Sequence, residues 1–115
     1  MPQASPMSIG SAAGNAARAA ALRVPGVAGL HSGRVGEVAL LLPGERIEGI
    51  KPSRSGELLG LEVHIVFDAS SGLEIHGVAE AVRAAVADAA EFDFVDVVVA
   101  DAVATAGVAA NPTEP

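Results

Sequence analysis

A chain of 115 residues, half of them hydrophobic, is long enough for one domain with a single modest core. Its net charge of −7 is lopsided: residues 1–54 carry six Lys/Arg against three Asp/Glu, and residues 55–115 carry one against eleven. That acidity repels phosphate and counts against direct binding of nucleic acid or anionic lipid, while the lack of cysteine removes disulfides and thiolate metal sites.

Aromatic residues are limited to Phe67, Phe92 and Phe94, so the core has to be built from Ala, Val, Leu and Ile. At ~25 cal/mol per Å² of buried apolar surface, such a core leaves a thin margin that self-association would reinforce. No stretch approaches the ~20 apolar residues of a spanning helix; the best uncharged one, Ala102–Ala110, is short and Ala-dominated. The N-terminus has no basic n-region or Leu-rich h-region, and Arg18 and Arg23 fall where an h-region would continue. A cytoplasmic location is therefore expected.

Residues 1–7, with two prolines and small polar residues, read as a disordered leader. The Ala-rich run Ser8–Arg23 predicts a helix. Ile9, Ala13, Ala16 and Ala20 would stack on its buried side, Asn15 and Arg18 would face away, and Ser8 or Ser11 would cap it. Gly14 weakens the helix interior by roughly 1 kcal/mol relative to Ala. Pro25-Gly26 ends the helix. Val27–Gly36, with glycines at 26, 29, 33 and 36, reads as a tightly turning connection. Val38–Leu42 is a short apolar segment, strand or helical turn, and Pro43-Gly44 marks a turn. Arg46–Ile50 alternates and predicts a second short strand. Lys51–Gly56, KPSRSG, reads as a loop by composition.

Leu58–Phe67 is the strongest strand signal. Leu59, Leu61, Val63, Ile65 and Phe67 alternate with Leu58, Gly60, Glu62, His64 and Val66, giving one dry face and one mostly wet face. After a loop at Asp68–Gly72, Val78, Val82, Ala85, Val86 and Ala89 define an amphipathic helix from Ile75 to about Ala90, with Glu80, Arg83 and Asp88 outward. Phe94–Asp101 predicts a last strand with Val95, Val97 and Val99 on one face and Phe94, Asp96, Val98 and Ala100 on the other. The expected domain spans residues 8–103, with a disordered tail over 104–115. A helix between two such strands favours a parallel pair. The fold expected is a two-layer α/β (α+β) sandwich in the order α-β-β-β-α-β, with a small mixed sheet and both helices on one face.

The run AARAAALRVPGVAGLHSGRVGEVALLLPGERIEGI (residues 16–50) resembles the alkaline shock protein family, the general or envelope stress response proteins. LEVHIV (61–66), GVAEAVRAAVA (77–87) and VDVVVADAV (95–103) continue the resemblance in the same order. The loop at residues 68–72 stands where family members commonly carry Tyr-Gly, and is about two residues longer. The resemblance implies a non-enzymatic protein of the cytoplasmic side of the envelope stress response. It also implies self-association or docking to a separate membrane-anchored protein, with no catalytic residue and no cofactor to carry over.

Glu62 and His64 are ~7 Å apart along a strand, with Asp68 four residues on, but a metal needs three or four converging ligands. An exposed polar strip is the better reading. His31-Ser32 lacks the orienting carboxylate and oxyanion hole of a nucleophile pair. The glycines at 26–36 form no phosphate loop and follow a helix, not a strand. His76, near a helix N-terminus, is a surface histidine. The second sheet face remains: Glu62, His64, Val66, Phe94, Asp96 and Val98 form an apolar patch ringed by charge, the candidate protein-contact surface. The alternative is a KH-like nucleic-acid-binding module, for which Gly26–Gly29 supplies the letters GxxG but no basic residue.

Overall fold

The structure, a computed structural model, describes residues 9–104; the leader expected at residues 1–7 and the tail beyond residue 104 lie outside them. In chain order the elements are α1 (Ser11–Leu22), β1 (Val27–Leu30), β2 (Ala39–Leu42), β3 (Glu45–Glu48), β4 (Ile50–Ser55), β5 (Leu58–Asp68), α2 (Ile75–Ala89) and β6 (Val95–Val103). This is a mixed α+β sandwich of the kind expected, with two strands more than the sequence suggested.

β5 is the central strand. On one edge it pairs in parallel with β6, from Leu61↔Val95 to Asp68↔Val103. On the other it pairs antiparallel with β4 over its first half and with β1 over its second. β2 and β3 make a separate two-stranded hairpin. Leu61, Val63 and Ile65 are fully buried, as are Val82 and Val86 of α2, and Phe67 and Val78 are nearly so. The dry face of β5 thus meets the apolar stripe of α2, and Ala17, Ala21 and Val24 complete the same core from the α1 side. Val95, Val97 and Val99 of β6 point into this layer.

Three local readings change. Val27–Leu30 is a strand, not a turning loop; a register shift between Val27 and Gly29 lets it follow β5. Lys51–Gly56 is mostly strand as well. Its pairing from Ile50↔Val63 to Ser55↔Leu58 leaves Gly56 and Glu57 as a two-residue hairpin turn, with Gly56 at φ 60°. Pro52 fits because the His64 amide donates to the Gly49 carbonyl at 2.9 Å. That bond fixes the alternation so that Ile50, Pro52 and Arg54 turn their backbone groups away from β5, and a proline there removes no ladder bond.

α1 is the third correction. Its buried residues are Gly14, Ala17, Ala20 and Ala21, so the helix is rotated from the face expected from Ala13, Ala16 and Ala20. Its N-cap is Gly10, and the cap candidate Ser8 lies outside the described residues; Ser11 donates to Glu45 Oε1 at 2.7 Å, and Asn15 Nδ2 donates to Glu45 Oε2 at 2.9 Å. These bonds tie α1 to the β2–β3 hairpin. Gly14 lies where a β-carbon would stand 2.6 Å from Leu40 Cδ2 and 3.0 Å from Ile47 Cδ1. The residue read as a weakness is where the hairpin packs against the helix.

Candidate functional site

With the helices on one side of β5, the other side carries Gly60, Glu62, His64 and Val66. The parallel register sets Glu62 beside Asp96 and His64 beside Val98, and the antiparallel register sets Lys51 on the far side of Glu62. Cross-strand neighbours share a face, so Lys51, Glu62 and Asp96 form a charged row across three strands.

Within that row the contacts are specific. His64 Nε2 donates to Glu62 Oε1 at 3.0 Å, and Lys51 Nζ lies 3.4 Å from the same oxygen. The His64 hydrogen bond foremost holds the Glu62 carboxyl below its ordinary value, with the Lys51 charge helping, against a partial desolvation that pushes it up. The His64 side chain is only 16% exposed and that of Glu62 26%, so the pair is set into the surface instead of trailing in solvent. The Lys51–Glu62 ion pair, with the lysine side chain 41% exposed, contributes about 0–1 kcal/mol.

The apolar part of the patch is held by packing. Phe94 lies across Gly60: a β-carbon at that position would stand 2.5–2.6 Å from three of its ring carbons. Val66, Phe94 and Val98 are half-buried and Ala100 is exposed. Beside Phe94 and Asp96 a shallow depression of about 530 Å³ is lined by Ser53, Arg54, Ser55 and Leu58, the last 50% exposed. Sequence reading missed Lys51, Arg54 and the two serines because KPSRSG shows no apolar alternation. The available signal was Gly56, two residues ahead of a strong strand, as a hairpin turn would place it.

The other candidates take structural roles. Asp68 turns from the Glu62–His64 pair and accepts from the Ser70 amide at 2.9 Å and the Ser70 hydroxyl at 2.6 Å, shaping the loop after β5. His31 Nδ1 accepts from the Gly33 amide at 3.0 Å in a tight turn. His76 is exposed in the first turn of α2, whose cap is Glu74, accepting from the His76 and Gly77 amides. The Gly26–Gly29 letters span the α1–β1 turn and the start of β1, not a loop between two helices. Among the described residues no three His, Cys, Asp or Glu side chains converge as metal ligands, and no helix is long and apolar enough to cross a membrane.

A second apolar surface, not foreseen from sequence, lies where α1 ends and α2 begins. A cavity of about 300 Å³ there is lined by Val24, Pro25, Leu73, Gly77 and Val78, and Leu73 is 47% exposed beside it.

No family model and no curated protein matches the chain. Solved structures similar to it include a variant of the MamM CTD in a cadmium form, 26% identical over 82% of this chain and 95% of that one, with a TM-score of 0.50. A second MamM variant is 25% identical over 92% of this chain and 97% of that one, with a TM-score of 0.51.

Proposed function

We propose that this chain is a non-catalytic interaction domain that self-associates through its open sheet side. The observation that carries this reading is the asymmetry of the sheet. Helices seal one side, while the other presents half-buried Val66, Phe94 and Val98 among Glu62, His64, Lys51 and Asp96. Apolar groups interleaved with oriented charge suit a protein contact, since the apolar part gains from losing water and the charges fix register. The resemblance of residues 16–50, 61–66, 77–87 and 95–103 to the alkaline shock protein family supports the finer form of the proposal. In that form the domain acts on the cytoplasmic side of the envelope stress response, alone as an assembly or docked to a membrane-anchored partner. The MamM structures are similar to this chain in fold; the cadmium belongs to that protein.

Light scattering on the purified chain tests the reading. A dimer or larger species is expected, dispersed by Val98→Glu with the circular dichroism spectrum retained. A strict monomer at high concentration that also captures no membrane-anchored protein in pull-downs would contradict it.

A further inference from the structure

β6 is a nine-residue strand that, among the described residues, pairs with β5 alone. The ladder decides which backbone groups its other edge displays. The Leu61 amide donates to the Phe94 carbonyl at 3.1 Å, and Leu61 is in register with Val95. Phe94, Asp96 and Val98 therefore turn their amides and carbonyls toward β5, and Val95, Val97 and Val99 turn theirs outward. A register shift at Ile65/Val66 passes over Ala100 and ends the regular stretch.

The two edges of the sheet are treated differently. On β4, Pro52 offers no amide to the outside and Lys51 and Arg54 add charge, the usual means of keeping an edge from pairing. Val95–Val99 has no proline, lysine or arginine. An edge-to-edge chain running β6 to β4 of the next copy would be interrupted at Pro52, and β1 on that same edge is only four residues long with a register shift, so the longest regular partner for β6 is β6 itself.

We infer that β6 is the seam of a two-fold dimer, pairing antiparallel with β6 of a second copy about an axis through Val97. This rests on the self-association proposed above and places its contact at the rim of the open side, along β6, with the two faces themselves left uncovered. Of the registers that oppose outward groups, this one keeps the longest regular stretch paired, short of the shift at Ala100. Val97 faces its own copy and Val95 faces Val99, all with outward backbone groups, so each pair exchanges hydrogen bonds. Asp96 faces Val98 in the non-bonded pair, and Phe94 faces Ala100. An axis between Val98 and Val99 would oppose Asp96 to Asp101, like charge on like charge, and would set inward groups against outward ones. In the Val97 register the two open faces become one continuous surface that carries both copies of the Lys51–Glu62–Asp96 row.

The chain has no cysteine, so introduced thiols report on the seam without background. Residues opposed in a non-bonded antiparallel pair have α-carbons about 4.5 Å apart, inside the range of about 4.4–6.8 Å that a disulfide accepts. An equimolar mixture of Asp96→Cys and Val98→Cys chains, oxidised after mixing, is expected to give a cross-linked heterodimer several-fold in excess of either variant oxidised alone, joined between the peptides holding positions 96 and 98. Val98→Lys provides a second arm. It sets an ammonium opposite Asp96 of the other copy, so it retains the dimer in light scattering at low salt where Val98→Glu disperses it. If the wild-type chain is dimeric but the mixture cross-links no more than the single variants, with both variants folded by circular dichroism, the seam is refuted and self-association stands. Equal dispersal by Val98→Lys and Val98→Glu refutes the seam as well. A wild-type chain that stays monomeric at high concentration refutes the seam together with the self-association it rests on.

Discussion

Phe94 and Gly60 show how one residue without a side chain shapes the open face. A β-carbon on Gly60 would sit inside the van der Waals envelope of the Phe94 ring, so Gly60→Ala has to lift the ring from the sheet. Overpacking of this kind costs about 1–3 kcal/mol, readable as a lower midpoint in urea; an unchanged midpoint would place the ring elsewhere. Gly14 is the complementary case. On helix propensity alone Gly14→Ala gains roughly 1 kcal/mol, yet the contact with Leu40 and Ile47 takes up that gain, and no net stabilisation is expected. A full gain on denaturation would mean the hairpin does not rest on α1. Glu62 adds a dependence on pH. Its carboxyl is held below the ordinary value of 4.5, so its contribution is present above that value and is lost as pH falls through the depressed folded pKa. The difference in unfolding free energy between the wild-type chain and Glu62→Gln is expected to be widest above pH 4.5, within about 1 kcal/mol for so open a pair. Below that pH the gap closes; one that widened on acidification would contradict the assignment.

At the scale of elements, β5 and α2 were legible because their side chains contrast: Leu, Val, Ile and Phe alternate with Gly, Glu and His, and Val78, Val82 and Val86 recur at helical spacing. Ile65→Ala, in a fully buried position, is expected to cost about 2–5 kcal/mol, well above Val66→Ala on the opposite face. Comparable losses would mean the faces are assigned wrongly. α1 was legible as a helix but not in its rotation, since Ala13, Ala16 and Ala20 are chemically the same as Ala17 and Ala21, and periodicity needs contrast to register. β1 and β4 were hidden for another reason. Their strand state comes from the edges of β5 to which they bond, and Gly29, Pro52 and the serines carry no pattern of their own, so tertiary pairing overrode local preference.

For the molecule as a whole, Glu62, His64, Val66, Phe94, Asp96 and Val98 share the side of the sheet away from the helices. The sequence could not show that Lys51 joins them, because that needs β4 in register with β5, nor that Asp68 leaves them to shape a loop. The lopsided charge now has a location as well. Lys51 and Arg54 lie on the β4 side and Asp96 and Asp101 on the β6 side, so the sheet runs from basic to acidic across its width. Sedimentation velocity of the wild-type chain beside Val98→Glu, over a hundredfold range of concentration, tests the central claim most directly. A wild-type boundary that moves to the dimer or beyond as concentration rises, with Val98→Glu held at the monomer, is the expected result. Two boundaries that coincide at the monomer throughout would contradict the account.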